Sequence, residues 1–230
     1  DNFFEAGGDS IQSIQIVSRA RQQGIDLSPR LMMRHQTVAE LTTALATSGP
    51  VESQSVPVGD QNEVWTPIQT WFQQLDLPQP HHFNQAVLLE LDDDLNPEIV
   101  RSALEALIHQ HRSLRTCYRY HGNEWTQEVS PPAPFTGLDV VRLPGQPTAD
   151  ATLSQEADRT QGDLDPAAGV VVRAVFFSTD PGEPARLLIV VHHLAVDGVS
   201  WRILLEDLAL ACQQLRRNEA IRLPQATSTL

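Results

Sequence analysis

The chain has 230 residues, 41% hydrophobic and 20% charged, a balance that suits a globular protein of one or two domains. Its formal net charge is −13 and its 16 basic residues are all Arg, which argues against nucleic acid or an anionic membrane as partner and excludes a Schiff-base lysine or a P-loop lysine. No apolar run could span a bilayer, no basic-then-apolar leader opens the chain, and Cys117 and Cys212 lack metal-site spacing, so buried thiols in a reduced cytoplasmic setting are expected.

The chain opens on Asp1 in mid-motif, as a piece of a longer protein would. Gly7-Gly8-Asp9-Ser10 then precedes the first helical pattern, and two readings fit. One is a glycine turn with Asp9 or Ser10 as N-cap. The other is a modified serine, because a helix N-terminus offers free N–H groups and a positive dipole end to a phosphodiester. SIQSIQIVSRARQQG (10–24) brings Ile11, Ile14 and Val17 to one side, with Ile16 and Ala20 close by, and predicts a helix ended by Gly24. LSPRLMMRH (27–35) predicts a short helical turn. TVAELTTALA (37–46) predicts a helix with Thr37 as N-cap and Glu40 completing a capping box. Three helical segments in residues 1–46 make a poor core, and a missing first helix would explain the deficit. TSGPVESQSVPVGD (47–60) keeps no period and reads as a solvated linker.

Residues 61–230 mix strands and helices. FNQAVLLELD (83–92) reads as a buried strand, and Asn96-Pro97 starts a helix carrying Val100, Ala103, Leu104, Leu107 and Ile108. LRTCYRYHGNEWTQEV (114–129) predicts a hairpin around His121-Gly122-Asn123. VVVRAVFFS (170–178) and RLLIVVHH (186–193) predict strands joined by TDPGEP, and a last helix runs from about Val199 to Arg216. Strands alternating with helices indicate an α/β layer. Trp65, Trp71 and Phe72 read as core aromatics, Trp201 packs the last helix on the sheet, and Arg202 and Glu206 are a surface pair.

His192 and His193 end the last predicted strand, with Asp197 four residues on. Successive strand side chains point to opposite faces, so the two histidines cannot share a role. In one reading both are hydrogen-bonded structural groups and Asp197 is the N-cap of the next helix. In the other, one of them is an acid/base, since imidazole titrates near neutrality. A metal site would lack a third and fourth ligand nearby.

The N-terminal stretch, with its DxFFxxGGDS motif, closely resembles the peptidyl carrier protein domain of nonribosomal peptide synthetases. That resemblance implies a four-helix bundle without its first helix here, and 4′-phosphopantetheine on Ser10 holding an aminoacyl or peptidyl thioester. Asp9 resembles carriers that serve an epimerization domain. HHLAVDGVSW (192–201) resembles the HHxxxDG motif of the condensation, epimerization and chloramphenicol-acetyltransferase-like superfamily. VSWRILLEDL (199–208), TPIQTWF (66–72) and HHFNQAVLLEL (81–91) resemble epimerization domains in particular, and HQHRSLRTCY (109–118) a second shared motif. The resemblance implies that His193 is the catalytic histidine and His192, Asp197, Arg115 and Trp201 support it, Asp197 by pairing with an Arg.

The expected layout is a carrier domain (1–46), a linker (47–60) and the N-terminal lobe of an epimerization domain (61–230). The expected class is α+β, a partial helical bundle followed by a chloramphenicol-acetyltransferase-like lobe with a mixed sheet flanked by helices. Its function would be inversion of an L α-carbon to D by deprotonation and reprotonation. The alternatives are a carrier plus condensation domain and a non-catalytic lobe that docks a carrier. The family's second catalytic group, a glutamate in a later motif, is not found in this chain, so the chain as written is expected to be an incomplete epimerase. Implied partners are an upstream adenylation domain, the rest of the epimerization domain, the condensation domain of the next module and a phosphopantetheinyl transferase, with no nucleic acid, membrane or metal.

Overall fold

The computed structural model describes residues 2–8, 12–13, 16–17, 19–20, 23–25, 27–47, 65–75, 77–92, 94–121, 124–145, 148–180 and 182–224. The chain divides into two units, 1–60 and 61–230. In the first unit Gln12, Ser13, Ile16, Val17, Arg19 and Ala20 are helical, and Gly24 leaves this helix at φ 75°. Helix α1 (Pro29–Arg34) starts where the Ser28 hydroxyl accepts the Leu31 N–H at 3.2 Å. Helix α2 (Val38–Thr47) starts on the expected reciprocal cap: the Glu40 N–H donates to Thr37 Oγ1 and the Thr37 N–H to the Glu40 carboxylate, each at 3.2 Å. Val17, Leu27 and Met32 are buried together, with Phe3, Ala20, Leu31, Leu41 and Leu45 around them. Ile16 is 38% exposed, while Ile11 and Ile14 lie outside the described residues. So does the expected linker, apart from Thr47, which ends α2.

The second unit runs α3 (Pro67–Gln74), β1 (Asn84–Glu90), α4 (Pro97–Gln110), β2 (Thr116–His121), β3 (Glu124–Val129), β4 (Leu138–Arg142), α5 (Ala149–Gly162), β5 (Val172–Ser178), β6 (Arg186–His192) and α6 (Gly198–Arg216). Its main sheet has the order β1-β6-β5-β4, with β4 parallel to β5 and the other pairs antiparallel. Strands β2 and β3 form the expected hairpin, Thr116 opposite Val129 through His121 opposite Glu124. A mixed sheet flanked by helices is the expected class.

Strands β5 and β6 read as unbroken apolar runs because both faces of the sheet are covered. Val175, Phe177, Leu188 and Val190 cluster with Leu143 and Leu164, and Leu153 and Ala157 of α5 pack onto them. Ala174, Phe176, Leu187, Ile189 and Val191 face the larger core, which holds Val100, Ala103, Leu104 and Leu107 of α4 and Leu204, Leu208 and Ala211 of α6. Asn96 caps α4, its Oδ1 accepting the Ile99 N–H at 2.9 Å.

Four features differ from expectation. Strand β1 is not a buried strand but a sheet edge that alternates: Val87 and Leu89 pack on the core, while Leu88 is 45% exposed. Trp71 is 51% exposed, whereas its neighbour Phe72 is core. Strand β4 and helix α5 carry no predicted pattern, since β4 is short and α5 buries only Ala149 and Thr160. Among the described residues no helix is long and apolar enough to cross a membrane.

Phe177 is 0% exposed at the centre of the α5 side of the sheet. Phe177→Ala is expected to destabilise the second unit by about 3–5 kcal/mol. Trp65, Trp71, Trp125 and Trp201 all lie in that unit, so tryptophan fluorescence during urea unfolding reads the change; an unmoved midpoint would contradict the packing.

Candidate functional site

The site is assembled at the end of β6. The β1–β6 register sets Asn84 opposite His192 and Gln85 opposite Val191. His192 is the last strand residue and its side chain is fully buried. Its Nε2 lies 2.9 Å from the Pro80 carbonyl, and its Nδ1 accepts the Leu194 N–H at 3.3 Å. A carbonyl only accepts, so Nε2 carries the hydrogen. Phe72 and Phe83 flank the ring, with centroids 5.6 and 6.2 Å away. Burial pushes this imidazole down to about 4, so it is neutral near pH 7. His192 thus pins the 3-10 turn Pro80–His82 to the loop after β6.

His193 begins that loop. Its backbone N–H donates to the Phe83 carbonyl at 2.8 Å, and its half-buried ring stacks on Phe83 with centroids 5.1 Å apart. Nδ1 is 2.8 Å from the Val196 carbonyl, which assigns the hydrogen to Nδ1 and leaves a lone pair on Nε2. Gln85 Nε2 is 3.1 Å from that lone pair, and Gln85 Oε1 accepts the Trp201 indole N–H at 2.8 Å. The loop itself is pinned at the Leu194 carbonyl, which accepts from Gln69 Nε2 at 3.2 Å and from the Tyr118 hydroxyl at 3.1 Å.

Asp197 closes the loop as the N-cap of α6, accepting the Ser200 N–H and hydroxyl, each at 2.7 Å. Among the described residues no arginine pairs with it; the carboxylate is used by the helix start instead. Arg115 stands at the base of the β2–β3 hairpin. Its Nη1 donates to the Ser130 carbonyl, and its own carbonyl accepts the Ser130 N–H at 2.9 Å. The structure therefore brings His192, His193, Asp197 and Trp201 together and puts Arg115 on the hairpin. Among the described residues no group of His, Cys, Asp and Glu is placed to hold a metal ion. Both cysteines are buried, and burial pushes the Cys212 thiol up to about 11.

Gln69, Phe83, Gln85 and Tyr118 lie inside the quoted motif stretches, but their place in this site was not read from them. The readable signal was polarity in an apolar frame. Gln85 shares its strand face with Val87 and Leu89, and Gln69 lies one helical turn before Phe72. A polar side chain at such a position needs a specific partner.

In the first unit, NFFEAGG (2–8) folds into a turn held by Asn2. Its Oδ1 accepts the Phe4 N–H at 2.9 Å, and its Nδ2 donates to Gln36 at 2.9 Å. Gly7 takes φ 94°, which favours glycine, and a Cβ on Gly8 would fall 2.5 Å from the Phe3 ring, so a larger residue there would push that ring aside. Asp9 and Ser10 follow directly and lie outside the described residues.

A family model described as "Condensation domain" matches residues 60–228, and one described as "Phosphopantetheine attachment site" matches residues 1–45. The chain is 41% identical over 237 residues to one of the linear gramicidin synthase proteins of Brevibacillus parabrevis, covering 100% of this chain and 3% of that protein. It is 38% identical to surfactin synthase subunit 1 of Bacillus subtilis, covering 99% of this chain and 6% of that protein. Among solved structures, the epimerization domain from the third module of tyrocidine synthetase B matches 71% of this chain and 37% of its own, at TM-score 0.66 and 32% identity. The first condensation domain of the calcium-dependent antibiotic synthetase shares the fold at TM-score 0.58 and 24% identity, over 67% of this chain and 37% of its own.

Because the folded His192 takes up its proton only near pH 4, whereas an unfolded histidine does so near 6.5, the linkage has one sign. The stabilisation is fully present above about pH 6.5 and is lost as pH falls toward about 4, a loss on the order of 3 kcal/mol. His192→Gln is expected to remove this part of the pH dependence. Urea midpoints by tryptophan fluorescence at about pH 7 and about pH 4.5 check it; equal slopes in variant and parent would contradict the buried neutral ring.

Proposed function

Because the chain belongs to the condensation-domain family, with a phosphopantetheine attachment site ahead of that domain, we propose that it serves a nonribosomal peptide synthetase as carrier and epimerization domain. The observation that carries the reading is the unprotonated Nε2 of His193, set by the Nδ1–H bond to Val196 and met by the Gln85 amide. A neutral imidazole so oriented is a proton acceptor suited to neutral pH.

Ser10 is the proposed attachment residue, two positions along the sequence from Gly8, where the turn that Asn2, Gly7 and Gly8 shape ends. The pantetheine thiol would present an aminoacyl or peptidyl group as a thioester, whose α-C–H is weakly acidic. His193 Nε2 takes that proton. Inversion also needs a proton delivered to the opposite face, which one fixed ring cannot reach, and the resemblance implies a glutamate for that role. His192 remains neutral and anchors the loop, Asp197 starts α6, and Arg115 holds the hairpin. The 32% identity to a solved epimerization domain favours this reaction over peptide-bond formation.

A second reading is favoured by the description of the matched family itself: a condensation domain in which His193 Nε2 assists attack of an amine on a thioester. The two separate on the product. In the synthetase module carrying this chain, a phosphopantetheinyl transferase and an aminoacyl-CoA load Ser10 with an L-amino acid. Racemisation with α-deuterium uptake from D2O is expected. His193→Ala should lower it by about 10²-fold or more, and Ser10→Ala should prevent loading. Retained L configuration with transfer to an acceptor amine would select the second reading.

A further inference from the structure

The hydrogen bonds around His193 form a chain whose direction is fixed at both ends. An indole nitrogen has no lone pair to accept with, so the Trp201 contact fixes which end of the Gln85 amide faces it: the oxygen, at 2.8 Å. The amide NH2 is thereby turned to His193 Nε2, 3.1 Å away. At the other end the Val196 carbonyl can only accept, so Nδ1 bears the hydrogen. The neutral Nδ1–H ring is the state in which all four groups are satisfied. An imidazolium would set its Nε2–H against the amide NH2, and turning the amide over would set that NH2 against the indole N–H.

We propose that Gln85, locked by Trp201, is a positioning residue that holds the His193 Nε2 lone pair unprotonated and aimed. This rests on the reading of His193 as the reacting base, and it says how the base is kept ready. Taking a proton at Nε2 would set that N–H against the amide NH2 and break the Gln85 contact.

Other charges do not offset the lock. Among the described residues no carboxylate forms an ion pair with His193. Asp197, in the same loop, is spent on Ser200. His192 is held neutral, and its Nε2 faces Pro80. The 3-10 turn brings His81 and His82, whose rings pair with each other at 4.8 Å, and α6 carries Arg202 and Glu206 on its exposed side.

The test uses the full chain labelled with 15N-histidine and two-bond proton–nitrogen spectra across the neutral pH range. A His193→Gln variant picks its signals out of the eight histidines. The parent is expected to show a protonated Nδ1 and a bare Nε2. In Gln85→Glu the carboxylate accepts from both the indole and the ring, so the bare Nε2 signal should be lost in favour of a ring protonated at both nitrogens. In Trp201→Phe, which keeps an aromatic side chain on α6, the amide is released and can turn its oxygen to the ring, so an Nε2–H signal should appear where the parent shows none. Trp201→Phe decides the matter if Gln85→Glu does not fold. An Nε2–H ring in the parent, or variant spectra that follow the parent at every pH, overturns the proposal. The readout involves no turnover. Racemisation by the module that survives His193→Ala, with this signature intact in the parent, would refute His193 as the base and leave the lock standing.

Discussion

The pairing of β1 with β6 is the constraint on which the site depends. Strand β1 is an edge strand, so β6 is its one neighbour in the sheet, and their register decides which β1 side chain meets the residues at the end of β6. A slip of one residue would turn Gln85 to the other face and leave Asn84 opposite Val191. It would also expose Val87 and Leu89 and bury Leu88, so the apolar pattern of β1 defends the register. With the register set, Gln85 faces α6, and Trp201 in its first turn is close enough to reach back. Asp197 matters here because it fixes where α6 begins. Four residues separate His192 from that cap, and they are held by His192, Gln69, Tyr118 and Val196 through polar contacts inside an apolar surround.

Such a network is costly if half made and rigid if complete. Gln69 is both the reciprocal cap of α3 and a donor to the Leu194 carbonyl, so one side chain ties the start of a helix to the histidine loop. The aromatic residues fill the remaining space: Phe83 lies flat against His193, while Phe72 meets Phe83, Trp125 and His192 edge-on or tilted. The result separates the two adjacent histidines chemically. Desolvation removes one from acid–base chemistry near neutrality, and a directed hydrogen-bond chain orients the ring of the other.

Local patterns carried much of this in the sequence. The capping residues Thr37, Asn96 and Asp197 are legible because a cap is a contact within three residues. The hairpin and strands β5 and β6 are legible because apolar runs and turn residues are local as well. Alternation along a strand is enough to say that His192 and His193 differ, and family resemblance points to the second. What was illegible lies at long range. Gln85 and Trp201 are 116 residues apart, and Gln69 and Leu194 are 125 apart, and no spacing rule joins them. Strand β4 and helix α5 were missed because α5 is mostly polar and gains its place by lying on Leu188 and Val190. The edge position of β1 likewise depends on strands formed a hundred residues later.

That late partnership has a consequence for biosynthesis. At a synthesis rate of about 5–20 residues per second, β1 waits several seconds or more on the ribosome before β6 and α6 exist to cover it. During that interval the nascent second unit can complete the β2–β3 hairpin and helix α4, both built from near neighbours, but not the sheet edge that carries Gln85. Val87 and Leu89 then stand without their partner strand, a stretch that chaperones bind readily. The histidine loop is thus among the last parts of the unit to take shape, and it closes only when the unit's last strand and helix fold back over its first strand.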